Sequence, residues 1–336
     1  MRFLKWLAVL VLLVWLGGWY GGKVLLEKAA PDALNAARAQ GLEVEITPPA
    51  VSGFPLRWEL AGREVTLADP LRGLRWQGPE LRLSAPVWAP WSLRADLPAE
   101  QLLTLPDQEL TLTSTALQAG LRVGPSRDVP LRVVSASAEN LSVQSNLGWQ
   151  ISFGEIDVTL REGVTPAGYD LTLDLAPLRP DPAFMQALAK VAVPEMPPSD
   201  LPAEVQQIDG DLGITLTAPL DRFARETQPQ LQALDIRGLD IAWGALTLAA
   251  EGQLTADATG HAEGQIKLQM RGWERLPAVL VASGTLAPKT APTVAGFLNA
   301  IASQSGEPGL LALTLVMKEG RMSLGPFPLG DAPRLR

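Results

Sequence analysis

The chain has 336 residues and a formal net charge of -8, from 28 basic and 36 acidic side chains. That balance argues against a nucleic-acid partner and against broad adsorption to anionic lipid, both of which want a basic surface. With no cysteine and a single histidine, His261, neither a thiol nucleophile nor a histidine-based metal site is expected.

The first segment, MRFLKWLAVLVLLVWLGGWYGGK, carries Arg2 and Lys5 and then no charge from Trp6 to Gly22. At about 1.5 Å per helical residue this run matches a bilayer's hydrocarbon thickness of roughly 30 Å. Trp6 stands at one edge and Trp19 with Tyr20 at the other, where aromatic rings favour the interface. A cleaved export signal wants small residues in an A-x-A pattern, and Lys28-Ala29-Ala30 puts a lysine in the wrong place. A soluble core helix is the third reading. The preferred one is an uncleaved anchor over residues 1–22, single-pass, holding the chain in a bacterial inner membrane. The basic amino end stays cytoplasmic and the bulk is periplasmic. The absence of cysteine fits an oxidising compartment.

Residues 23–41 read as a juxtamembrane helix, interrupted by Pro31 and ended by Gly41. From Leu42 the period becomes two. Leu81-Arg82-Leu83, Leu110-Thr111-Leu112, Leu121-Arg122-Val123, Ile156 to Leu160 and Leu171 to Leu175 alternate apolar with polar, as do Ile266 to Met270 and Leu311 to Leu315. Such alternation puts one face on an apolar interior and the other in water. Turn residues fall between the runs at 124–128, 146–148 and 166–168. Polar residues between the leucines argue against a lipid-spanning barrel.

Helices are expected from Asp181-Pro182 to Val191, as a short turn at Asp221–Glu226, over Trp273–Val281 and over Pro292–Ser303. The Pro-rich stretch 193–202 suggests a linker between a first β-rich half, 42–192, and a second, 203–336. The fold class that follows is mainly β with a few helices (α+β): an N-terminal transmembrane helix, then a large, mostly antiparallel, curved sheet or two related sheets.

Little in the chain can carry chemistry. There is no G-x-S-x-G elbow and no phosphate-cradling G-x-x-x-x-G-K. Gly260 to Gly264, around His261, reads as a polar turn. No catalytic, cofactor-binding or metal-ligating residue is expected, and no enzyme activity. Tryptophan is the more unusual signal, with ten residues, four of them crowding one region: Trp58, Trp76, Trp88 and Trp91. Trp88-Ala89-Pro90-Trp91 reads as a pair of aromatic plugs closing one end of the sheet, and Gly53-Phe54-Pro55 as a bend into the first strand; the alternative is that Phe54, Trp58, Trp76, Trp88 and Trp91 form a lip near membrane or an apolar ligand.

Gly53-Phe54-Pro55-Leu56-Arg57, Trp88-Ala89-Pro90-Trp91, Ala242-Trp243-Gly244, Gly260 to Gly264 and the ending Met317 to Gly330 occur in an order that resembles one family. It is the uncharacterised bacterial envelope family of domain of unknown function 2125. The resemblance implies a membrane-tethered periplasmic protein and brings no activity or site residues with it. More loosely, one amino-terminal anchor followed by repeated strands is similar to the AsmA-like envelope proteins, which implies an apolar groove for lipid.

Two functions follow as expectations. One is a module that holds lipid or another hydrophobic ligand on a partly open sheet face. The other is a structural protein of envelope assembly, with its apolar face closed and envelope proteins as partners.

Overall fold

The computed structural model describes the backbone of residues 2–335 except 40, 48–49, 195–199, 305–306 and 325–326. Side chains are described except at those positions and at 2–15, 30, 33, 50 and 327. The chain opens with α1 (Arg2–Ala39). This helix runs unbroken through Pro31, against the expected interruption. Proline removes one N–H from the ladder, and the alanine, leucine and lysine around it are helix formers that carry the turn across. Gly41, at φ 88°, ends the helix as expected, its N–H reaching the Arg38 carbonyl at 3.0 Å.

Beyond α1 the chain is a meander. β1 (Glu43–Glu45) and β2 (Ala50–Ser52) lie end to end along β3 (Arg57–Asp69). β4 (Leu74–Pro86) returns beside β3. The next lane is shared by β5 (Ser92–Leu97) and β6 (Glu100–Leu105), both paired to β4. The lane after it is shared by β7 (Gln108–Thr113) and β8 (Ala116–Val123). β9 (Leu131–Ser145) spans both of these, and β10 (Gln150–Glu162) and β11 (Gly168–Arg179) follow as long hairpins.

α2 (Pro182–Lys190) then leads to β12 (Gln207–Leu216), which pairs directly with β11. One sheet therefore runs through both sides of the Pro-rich stretch, whose residues 195–199 lie outside the described ones. α3 (Ala224–Thr227) precedes β13 (Leu231–Trp243), β14 (Leu246–Ala256) and β15 (Ala262–Arg271). α4 (Leu276–Ala282) and α5 (Ala291–Ala302) separate β15 from β16 (Leu310–Lys318). β17 (Arg321–Leu324) and β18 (Phe327–Asp331) finish the array. All described strand pairings are antiparallel, and each lane's neighbours are the ones next to it in the chain.

Register explains why one sheet forms. Leu60, Leu83, Ala95, Ala119, Ala136, Val158, Leu173, Gly210, Leu239, Ala250, Leu268 and Leu313 are successive cross-strand partners. At about 4.8 Å per lane this apolar row is on the order of 50 Å long. A parallel row runs from Leu93 through Leu121, Val134, Leu160 and Leu171 to Leu212. A slip of one residue anywhere would turn a strand's leucines to the other face, so the rows fix every register together.

The rows stop at a crease. In the amino half the apolar residues change parity, from Leu60 and Gly62 to Val65 and Leu67, or from Ala136 and Ala138 to Leu141 and Val143. The change falls at aligned positions: Glu64 at φ 53°, the β5–β6 break at Pro98-Ala99, the β7–β8 break at Ser114-Thr115, Asn140 at φ 49°, Gly154 and Pro177. A left-handed residue within a strand is the bulge conformation, which re-aims the side chains that follow. A Cβ on Gly62 would lie 3.8 Å from Val65 Cγ2, so residues on either side of the crease share a face. Gly154 has to be glycine: a Cβ there would stand 2.6 Å from Pro177 Cδ and 3.0 Å from the Ala176 carbonyl oxygen.

Helices cover only part of the apolar face. α2, α4 and α5 pack over the carboxyl half, joining Leu188, Ala278 and Ala295 to Trp243, and Leu298 to Met270, Leu311 and Leu313. Asp181 caps α2, accepting from the Ala183 and Phe184 amides, and also takes the Gln150 N–H at 2.7 Å. That last bond above all holds its carboxyl below the usual carboxylate range. The tail adds Ala332 and Leu335 over Leu254 and Met317.

In the amino half Leu83, Leu93, Leu121 and Val134 remain 37–43% exposed. A compact 35.9 kDa monomer is expected to present roughly 13,000 Å² to solvent, whereas this chain presents 20021 Å². A long helix accounts for some of the excess, and the uncovered leucines for more. Leu311→Ala, at a fully buried site, is expected to cost about 3 kcal/mol, and Leu93→Ala less than about 1 kcal/mol. Urea midpoints of the two variants in detergent would check the contrast, and equal losses would contradict the open face.

Candidate functional site

The five aromatic residues singled out from the sequence do not form one cluster. Trp76 sits beyond the crease, where its indole N–H donates to Gln101 Oε1 at 2.8 Å and Gln101 Nε2 donates to the Pro98 carbonyl at 2.9 Å. Gln101 is buried, and the ring stands against Gly78, so Trp76 satisfies a polar group inside the sheet. Trp91 lies in the β4–β5 turn, and its carbonyl accepts the Val123 N–H at 3.0 Å.

Trp58 and Phe54 meet α1. The Trp19 indole donates to the Arg57 carbonyl at 3.0 Å, and the Trp58 indole donates back to the Trp19 carbonyl at 3.1 Å. Phe54 meets the Trp19 ring edge to face, with centroids 5.1 Å apart and planes at 84°. The Trp58 ring also fills the space beside Gly22, where a Cβ would collide with it. Further along, Arg38 donates to the Val44 carbonyl through Nη2 at 2.7 Å. Two reciprocal indole bonds and one glycine notch thus seat the helix on the sheet's first strands. Glycine gives up helical propensity here to let the indole approach.

Phe54 and Trp88 line a groove on the polar face. It holds about 740 Å³, within the ordinary range of ligand sites. Its rim is the Gly53–Leu56 loop and the turn at Trp88, with Phe54, Leu56 and Trp88 54–59% exposed. Its floor is small and hydroxylic, from Ser84, Ser92, Gly120, Ser135 and Ser137. Arg57, Arg94 and Arg122 line it as well, and no carboxylate does. Arg94 is the partner of Gly120 and Arg122 of Ser92, so the two guanidiniums leave one face of neighbouring strands on a diagonal. Arg57 pairs with Glu59 at 3.2 Å, while Arg94 and Arg122 form no ion pair among the described residues.

The middle of the same face has the opposite sign. Asp157, Asp174, Asp209 and Asp240 are successive cross-strand partners, an arrangement of like charges that opposes pairing. Arg237 relieves its border by donating to Asp211 and, at 2.6 Å, to Asp170. Among the described residues, no group of three or more acidic or histidine side chains is placed to hold a metal ion. His261 lies in the β14–β15 turn as read. Its Nδ1 is 2.7 Å from Thr259 Oγ1, and Asp257 takes the Thr259 hydroxyl and the Thr259 and His261 amides. The Thr259 hydroxyl first, then those amides, hold the Asp257 carboxyl below its ordinary range.

The serines and arginines of the groove escaped the sequence reading. The usable signal was the recurrent Leu-Arg pair at 81–82, 93–94 and 121–122, which puts arginines opposite the leucine face.

A family model described as an uncharacterized protein conserved in bacteria (DUF2125) matches residues 19–333. The chain belongs to that family. No curated protein and no solved structure matches it. The looser likeness to AsmA-like proteins has no support in these comparisons. Among the described residues no helix is long and apolar enough to cross a membrane, and most of the expected anchor, Trp6 to Gly22, falls where side chains lie outside the described ones.

Gly22→Val is expected to unseat α1 from Trp58, whereas Gly21→Val, with nothing within 4 Å, leaves it docked. Limited proteolysis near Gly41 should then accelerate severalfold in the first variant only. Identical cleavage of both would argue against the notch.

Proposed function

We propose that this DUF2125 member is a periplasmic β-sheet protein, tethered to the bacterial inner membrane by α1, that holds lipid or another hydrophobic ligand on its open apolar face without catalysing a reaction. The observation that carries this reading is the row of leucines left uncovered in the amino half, where Leu93, Leu121 and Val134 line up across three strands at 38–43% exposure. Contiguous apolar surface of this extent is costly in water and marks a binding face. The tether is supported by the charge-free run in a helix of 38 residues, on the order of 57 Å long. That length is enough to cross roughly 30 Å of hydrocarbon and still dock on the sheet. Trp19 and Tyr20 then sit at the depth where aromatic rings favour the interface. The alternative, envelope assembly through a closed apolar core, is disfavoured by those same exposures.

The test is lipid carried through purification. The full chain, extracted in a mild non-ionic detergent, is expected to retain phospholipid by mass spectrometry above the level of an unrelated single-span protein. Leu93→Gln with Val134→Gln should lower that excess at least twofold with the circular dichroism unchanged. Retention no higher than the control would sink the proposal.

A further inference from the structure

We infer that the groove of Arg57, Arg94 and Arg122 binds the phosphate of a lipid headgroup drawn from the membrane in which α1 sits. The groove lies on the face opposite the leucine rows, so it is a separate site from the apolar one.

Charge is the first argument. In a chain of net charge -8 this groove is lined by three arginines and no acid. Elsewhere on the polar face arginines meet carboxylates: Arg82 bonds Glu80 at 2.8 Å, and Arg237 bonds two aspartates. Arg94 and Arg122 have no such partner among the described residues, and their diagonal placement leaves both forks turned to one volume. Planar guanidinium donors suit phosphate oxygens, and the hydroxyls of Ser84, Ser92 and Ser135 supply neutral donors on the floor.

Shape is the second. Phe54, Leu56 and Trp88 give the rim exposed apolar surface, which a free inorganic anion would not use and a lipid's glycerol and first methylenes would.

Position is the third. Phe54 touches Trp19, and the Arg57 carbonyl takes the Trp19 indole, so the groove adjoins the end of the charge-free run. If α1 crosses the bilayer, that end is at headgroup level. The net negative charge still disfavours broad adsorption. What the groove adds is a local, stoichiometric anion site. The inference takes from the proposed tether only the source of the lipid.

The experiment uses the full chain in dodecyl maltoside micelles doped with fluorescent phosphatidylglycerol or phosphatidylcholine. Phosphatidylglycerol is expected to bind more tightly. Arg94→Gln with Arg122→Gln should weaken it about tenfold, while Lys289→Gln, at an exposed lysine far along the chain, changes nothing. Ser135→Leu, which fills the floor and leaves the arginines in place, should weaken both lipids. Millimolar inorganic phosphate should compete poorly. Equal binding by the double variant would overturn the proposal, and full displacement by phosphate alone would overturn the lipid as its source. Apolar ligand retained on the leucine face by the same double variant would leave the reading above untouched, so the two can fail separately.

Discussion

Cross-strand register is the constraint on which this molecule depends. Each inner strand is held by neighbours on both sides at once, and the apolar rows make every pairing agree with the next across twelve strands. Hydrogen bonding alone would allow a shift of two residues. A leucine whose partner is an alanine or glycine on one side and a leucine on the other removes much of that freedom. Because lanes adjacent in space are adjacent in the chain, most of the array is built from local hairpins, and the longer, helix-bearing connections fall between β11 and β12 and between β15 and β16.

Sidedness follows from register. Three arginines and four serines share one end of the face opposite the leucines, and four aspartates share its middle. Neither group is a cluster in sequence. Both arise because alternate positions of successive strands are stacked by pairings fixed on the other side of the sheet. The apolar rows therefore determine where the charged groups stand, and the crease determines where the rows bend without losing their side.

Much of this was legible beforehand. The alternation at Leu171 to Leu175 and Ile266 to Met270 named strands, Asp181-Pro182 named a helix start, and the turns at 146–148 and 166–168 fell where glycine and proline placed them. What escaped was non-local. Pro31 reads as a break because its own chemistry opposes helix, yet the turns on either side carry α1 through. The prolines at 193–202 read as a linker, and the β11–β12 register on either side of it depends on Leu173, Gly210 and their partners, which no local composition reveals. Trp58 and Trp76 look alike in sequence. One answers a glycine on a distant helix and the other a buried glutamine, and only pairing distinguishes them.

The two ends of the array are finished differently. At one, β1 and β2 are short and α1 lies against them. At the other, β18 has five residues, among them Pro328, which has no N–H to offer a newcomer. A broad, oil-faced ribbon with bare borders would recruit its own copies edge to edge and grow into fibres. A helix at one border and a proline at the other let so large an apolar surface exist as separate molecules.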